Sequence, residues 1–259
     1  MKKKILLTAF AAFLAFFAYG CSDDDTTNPT DETPAFKFTQ GSSWNFQRFE
    51  LDTLSNRLST YSLLNTNITG TITYLSKQAS VFVSLSDDKN DTVNFAIEGK
   101  KLYSSKAAFS PQKMTKGLLP VDIPDQWYTF ADYGNDSWTI YRDSLKNIPI
   151  PVDGNTYNFN GILTITGKRV ESASVKWGPN EDKTVTATDF QHSYTFEGKI
   201  AGIVTLNKTF VIHNYYNKDM GFIKEKMESQ LITVPIILKS IHVAGYETVL
   251  QSYNIATGE

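Results

Sequence analysis

Val81-Phe-Val-Ser-Leu85, Asp87-Asp-Lys-Asn-Asp91 and Val93-Asn-Phe-Ala-Ile97 follow one another as two apolar runs around a polar centre. In an extended chain residues i and i+2 share a face, so each run offers one side to a core. Five polar residues between two β-branched and aromatic runs make a hairpin. On its N-terminal side, Ile68-Thr-Gly-Thr-Ile-Thr-Tyr74 is rich in threonine and β-branched residues. Further back, after a turn at Gly41-Ser42, Trp44, Phe46 and Arg48 fall on one face of a first strand. On its C-terminal side, Glu98-Gly99-Lys100 turns the chain into Leu102-Tyr103.

The alternation stops between residues 107 and 133. Ser110-Pro111 has the form of an N-cap followed by proline at the first helical position, and Gly117 is placed to end a short helix. Pro120 and Pro124 make the next stretch irregular. Strand text resumes at Trp138-Thr-Ile-Tyr141, and Ile148-Pro-Ile-Pro-Val152 reads as a proline-rich loop. Further strands are expected over residues 157–166, 170–177, 184–188, 192–196, 203–206, 209–216, 221–226, 231–238 and 247–255. No long amphipathic helix occurs. The expected fold is all-β: a single antiparallel domain over residues 35–259, its curved sheet forming a barrel, half-barrel or sandwich. A break near residues 148–153 is the alternative.

The chain has 259 residues, of which 41% are hydrophobic and 13% aromatic, enough for one large β core. Charge is informative once it is divided. Lys2, Lys3 and Lys4 belong to a leader, and Asp23, Asp24, Asp25, Asp31 and Glu32 to the segment after it. Removing them from 25 basic and 27 acidic residues leaves equal numbers of each sign. A neutral body lacks the basic excess that binds phosphate backbones, which argues against nucleic acid as a partner.

The basic leader runs into an apolar stretch from Ile5 to Tyr19, interrupted by Thr8. It is short for a transmembrane helix, which needs about 20 residues, and suits a signal peptide over residues 1–20. The single cysteine, Cys21, follows directly, so Ala18-Tyr19-Gly20-Cys21 resembles a lipobox. The resemblance implies lipidation (palmitate-type acylation) at Cys21 and attachment to an outer membrane without spanning it. Residues 21–34 carry five acids, no base and two prolines, the composition of an extended tether. Ser22-Asp-Asp-Asp25 resembles the acidic surface-export signal of Bacteroidota lipoproteins, which implies a cell-surface address.

Gly41-Ser-Ser-Trp44-Asn-Phe46, Gln126-Trp127 with Trp138, Gly221-Phe-Ile-Lys224 and Leu250-Gln-Ser-Tyr253 occur in that order. Together they resemble a broad group of Bacteroidota and Ignavibacteria-type surface lipoproteins. The resemblance implies an antiparallel β domain; the group has no established activity and supplies no functional residues.

Motifs for chemistry are weak. His192, His213 and His242 are far apart, without His-x-His or His-Glu-x-x-His spacing, so neither a metal site nor a cofactor is expected. Asp87 to Asp91 with Glu98 has a faint calcium-loop look, but Lys89 and Thr92 occupy positions that want an oxygen ligand and glycine. Ser110-Pro-Gln-Lys113 matches Ser-x-x-Lys, and a capped single turn explains it better than a nucleophile does. Asp122, Asp125, Asp132 and Asp136 offer paired acids for glycoside hydrolysis only if folding sets their separation. The densest feature is aromatic: Trp127, Tyr128, Phe130, Tyr133, Trp138 and Tyr141. Packing of the sheet accounts for such rings more often than exposure does, but Trp127, Tyr128, Tyr133, Trp138 and Tyr141 are the candidate ligand-binding residues. Tyr215-Tyr216 is a lesser candidate.

A non-enzymatic, membrane-anchored binding module is therefore expected. Its ligand would be an apolar small molecule, a glycan or another envelope protein. A hydrolase acting on envelope polymer through carboxylates near Trp127 is the alternative, and a structural envelope component the third reading.

Overall fold

Strands β9 (Lys183–Ile200) and β10 (Val204–Asn217) show why this sequence folds as it does. From Phe190 to Phe196 and from Phe210 to Tyr216, every second residue is buried and those between are half-exposed. Each strand thus has one core face, and its register is fixed by that face. In the computed structural model, residues 36–86, 90–152, 154–234 and 239–257 are described. The leader, Cys21, the acidic tether and part of the Asp87–Asp91 loop lie outside the described residues. The described residues belong to one compact unit, Pro34–Glu259.

The other strands are β1 (Ser43–Leu51), β2 (Arg57–Tyr74), β3 (Lys77–Ser86), β4 (Asn90–Glu98), β5 (Lys101–Ser104), β6 (Tyr128–Asp132), β7 (Ser137–Val152), β8 (Asn155–Trp177), β11 (Gly221–Met227), β12 (Gln230–Val234), β13 (Lys239–Val243) and β14 (Tyr246–Asn254). Twelve form one antiparallel sheet in the order β6-β5-β4-β3-β2-β1-β14-β11-β10-β9-β8-β7; β12 and β13 pair separately. The sheet is nearly closed into a barrel, and its two edges, β6 and β7, are consecutive in the chain. Bulges at Asn45/Phe46, Ile68/Gly70, Thr139/Tyr141 and Val170/Ala173 bend the strands toward closure.

Trp138 stands at the seam. Its indole on β7 lies against Gly167 of β8 and donates to the Thr129 carbonyl of β6 at 2.9 Å. Any side chain at residue 167 would overlap that ring. Tyr128 on β6 meets Tyr141 on β7 edge to face, and Arg169 of β8 donates to the Tyr133 carbonyl. Side chains thus hold the join that no backbone ladder makes.

Two segments enter the barrel. Phe36 packs on Tyr133, Phe190 and Tyr216, while Phe38 packs on Phe82, Phe95 and Phe222. The connection from β5 to β6 holds a 3-10 helix (Lys106–Phe109) and the single-turn helix α1 (Pro111–Met114). Its Phe109, Met114, Leu119, Val121 and Ile123 are buried. Ser110 caps α1 by accepting from the Lys113 amide at 3.2 Å, as its sequence indicates. Outside the barrel, the turn from β8 to β9 lies against β14, where the Gly178 amide donates to the Leu250 carbonyl at 2.8 Å. Arg57 binds Glu181 and Glu247 there, and Lys224 binds Glu247. No helix among the described residues is long and apolar enough to cross a membrane.

Several segment boundaries differ from the sequence reading. Residues 148–152 form the end of strand β7, not a loop, with Pro149 opposite Asn158 and Pro151 opposite Thr156. Because β7 is an edge strand, proline there breaks no ladder on its free side. Residues 157–177 are one strand interrupted by a bulge, and residues 183–200 one strand that carries a buried Asp189. Within residues 107–133, where alternation stops, Tyr128–Asp132 nonetheless form β6.

Candidate ligand-binding cavity

Alternation brings Trp44, Phe46 and Arg48 of β1 to the inner face, as it does Ser62, Leu64 and Thr66 of β2. With inward residues of β3, β4, β9, β10, β11 and β14, they enclose a cavity of about 420 Å³. One wall is the β5–β6 connection, which contributes Ala107, Ala108, Ser110, Lys113 and Met114. Trp44, Phe46, Phe82, Phe95, Phe130 and Phe222 supply an apolar lining. Trp44 is fixed in place, since its indole donates to the Met220 carbonyl at 2.6 Å and its ring packs on Gly221. Gly221 has φ +84, a conformation glycine adopts freely, and a Cβ there would crowd the indole at 3.0 Å.

Polar groups enter the cavity at defined levels. His192 is fully buried, and its Nε2 lies 2.7 Å from the Phe130 carbonyl. A carbonyl accepts only, so Nε2 carries the hydrogen and Nδ1 is free to accept from Asn214 at 3.3 Å. Burial pushes this imidazole down to about 4, so it is neutral at physiological pH. Asn214 also donates to the Phe190 carbonyl at 2.9 Å. This thread ties β10 and β9 to edge strand β6 across the lumen. Burial, with Glu225 nearby, raises the Tyr194 phenol, and it raises Tyr246 likewise. Both are hydrogen-bond donors at neutral pH.

The charged residues of the lining are Arg48, Asp91, Lys113, Lys224 and Glu225. Lys113 pairs with Asp91 at 2.6 Å, both well exposed. Lys224 binds Glu247, whose burial raises its pKa while hydrogen bonds from Arg57 and Lys224 outweigh that effect and hold it at about 2. Arg48 lies over the Tyr246 ring at 3.8 Å, with the nearest Glu225 oxygen at 4.0 Å.

The five candidate aromatic residues do not line this cavity. Tyr128 is buried and donates to the Pro124 carbonyl at 2.7 Å. Trp127 is half-buried, with its indole on the Tyr74 and Leu75 carbonyls at 3.2 Å. Tyr133 packs on Phe36 and Phe190, Trp138 closes the seam, and the Tyr141 hydroxyl bonds Asp143 at 3.0 Å. From that aromatic cluster, Phe130 alone reaches the lumen. The four acids of the same region have separate partners: Asp122 binds Lys106, Asp125 binds Tyr74, Asp132 binds Lys101 and Asp136 binds Arg169. The histidines are dispersed too: His192 lies in the lumen, His213 on the opposite face with Asp189 at 2.8 Å, and His242 is exposed on β13. Ser110 and Lys113 both border the cavity, but as a cap and an ion-pair partner. Tyr216 is buried in the core, and Tyr215 stacks on His213 at the other face.

No family model matches the chain, and no curated protein matches it. Among solved structures it is similar to a protein from Parabacteroides distasonis provisionally assigned as a lipoprotein, at 11% identity and a TM-score of 0.46. That match covers 86% of this chain and 99% of the other. It is also similar to a protein from Bacteroides fragilis, provisionally assigned as exported and described as having a YmcC-like fold. There the identity is 8% and the TM-score 0.42, over 85% of this chain and 98% of the other.

Proposed function

We propose that this protein is a membrane-tethered, non-enzymatic binding module that takes a small amphipathic molecule into the lumen of its barrel. The observation that carries the reading is a cavity of about 420 Å³ left where side chains would otherwise fill the interior. Small-molecule sites commonly measure about 300–1,000 Å³ and combine an apolar lining with a few placed polar groups. Both descriptions fit. An apolar or amphipathic molecule is favoured over a glycan, because the aromatic lining is enclosed while exposed rings stack sugars. It is favoured over an envelope protein because the feature is a concavity. The tether reading rests on Cys21 and the acidic segment after it, and holds the barrel at the outward face of an outer membrane.

The test is calorimetric titration of the full chain with 1-dodecanol, compared with an Ala108→Trp variant that fills the cavity. One saturable site, lost in the variant while its circular dichroism is unchanged, is the expected result. No binding, or binding indifferent to the substitution, refutes the lumen as a site. Cys21→Ser addresses the tether: the protein should leave the membrane fraction, and retention there would defeat lipid anchoring.

A further inference from the structure

One row of the cavity wall is built from five neighbouring strands. Arg48 of β1 pairs in register with Ser62 of β2 and with Thr248 of β14. Thr248 pairs with Glu225 of β11, and Glu225 with Asn214 of β10. All five residues line the cavity. Two of them have unspent hydrogen-bonding capacity.

Thr248 is 5% exposed, and its hydroxyl meets no partner among the described residues. That oxygen has almost no accessible surface; rotation about the Cα–Cβ bond would present it to a polar atom in the lumen, and a buried unsatisfied hydroxyl gains by such a partner. Its row neighbour Arg48 is held by the Tyr246 ring, but at 4.0 Å the Glu225 carboxylate lies beyond hydrogen-bond reach. The Arg48 guanidinium makes no hydrogen bond to any described residue. Arg48 and Thr248 are directly opposed in the sheet, with Cβ atoms about 4.5–5.5 Å apart, so both side chains border the same part of the lumen. The other two cations of the lining are already paired, Lys113 with Asp91 and Lys224 with Glu247.

We infer that the lumen takes a long-chain carboxylic acid, its carboxylate on Arg48 and Thr248 and its hydrocarbon on the aromatic lining. This deepens the binding-module reading and rests on it. A guanidinium presents parallel donors that match a planar carboxylate in bidentate fashion. A phosphate fits less well, because its second charge faces Glu225 across the same row. From Arg48 the inward positions of β1 run to Phe46 and then Trp44, a descent of about 13 Å at ~3.3 Å per residue. Leu64, Phe82, Phe95 and Phe222 complete the apolar surface around that line. The head is thus received at one level, and the tail at the levels below it.

The experiment compares laurate, 1-dodecanol and dodecyl phosphate by calorimetry on the full chain below their aggregation limits. Laurate should bind about tenfold more tightly than the alcohol, the contribution of a charge-assisted pair. Arg48→Gln should remove that preference and leave the alcohol within about twofold of its original affinity. Arg48→Lys should restore part of it, which separates charge recognition from a packing role. Equal binding of acid and alcohol, or equal weakening of both in Arg48→Gln, overturns the carboxylate assignment while the lumen reading stands. Tighter binding of the phosphate overturns it too. Failure of all three amphiphiles to bind removes the lumen reading itself.

Discussion

Two buried groups give the protein an acid response with separable windows. The His192 imidazole is depressed to about 4 by burial, with its hydrogen bond to Phe130 opposing. A group depressed in the folded state contributes stability above its unfolded pKa, near 6.5, and that contribution fades as pH falls toward 4. The Glu247 carboxylate is held at about 2 by Arg57 and Lys224, against the effect of burial. Its contribution is complete above about 4.5 and fades as pH falls toward 2. At ~1.4 kcal/mol per unit, each amounts to about 3 kcal/mol as an upper figure. Thermal melts at intervals from pH 7 to pH 2.5 should therefore fall in two stages. His192→Gln should flatten the upper stage and Glu247→Gln the lower. A single stage abolished by either substitution would contradict this assignment. Of these two groups, only the histidine stands out in the sequence, and there as a metal-ligand residue type. Nothing local to position 247 reveals that Arg57, 190 residues away, reaches it.

At the scale of elements, the seam between β6 and β7 is the feature on which closure depends. Trp138 can cover Gly167 only because that strand position lacks a side chain. Gly167→Ala should expel the indole, break its bond to the Thr129 carbonyl and cost about 2–4 kcal/mol. Gly70→Ala is the matched control, since open space surrounds that position and it should change stability by less than ~1 kcal/mol. Urea denaturation followed by tryptophan fluorescence measures both; equal midpoints for the two variants would mean that the seam is not a weak point. The sequence reveals most of the strands in this sheet, and the Ser110–Gly117 capped turn, because these rest on local alternation and on turn chemistry. It does not reveal strand length. β2 runs 18 residues with most of its side chains at least partly exposed, so its first half shows no apolar alternation. The apolar pattern of β8 breaks at Gly167-Lys-Arg169, a glycine followed by two charged residues, and that of β9 at the buried, His213-paired Asp189. The prolines of β7 read as a loop because an edge position, where proline is harmless, is set by topology and not by neighbours in the chain.

At the scale of the whole molecule, the cavity is a property of barrel closure. Trp44, Phe46 and Arg48 were legible as one face of one strand, but their row partners Thr248 and Glu225 lie some two hundred residues further on. The aromatic residues dense along 127–141 pack at the barrel's seam and core, apart from Phe130, which lines the cavity. Residues 35–259 carry equal numbers of basic and acidic side chains, so long-range steering contributes little to capture of an anion. Selection then falls to the charges inside the wall, and there Glu225 works against Arg48. It lies 4.0 Å from the guanidinium, and it also interacts with the Tyr246 hydroxyl. It therefore limits carboxylate affinity while preventing Arg48 from standing as a bare charge in a partly enclosed site. Glu225→Gln keeps the shape and the hydrogen bond to Tyr246 but removes the repulsion. Laurate affinity should rise by about threefold to tenfold, with 1-dodecanol unchanged, in the same calorimetric titration. Raised salt should shrink the difference between the wild-type protein and the variant, because the site is open enough at Arg48 and Glu225 for ions to screen it. A fall in laurate affinity would show instead that Glu225 holds Arg48 in its binding position, and that the row acts as one prearranged unit.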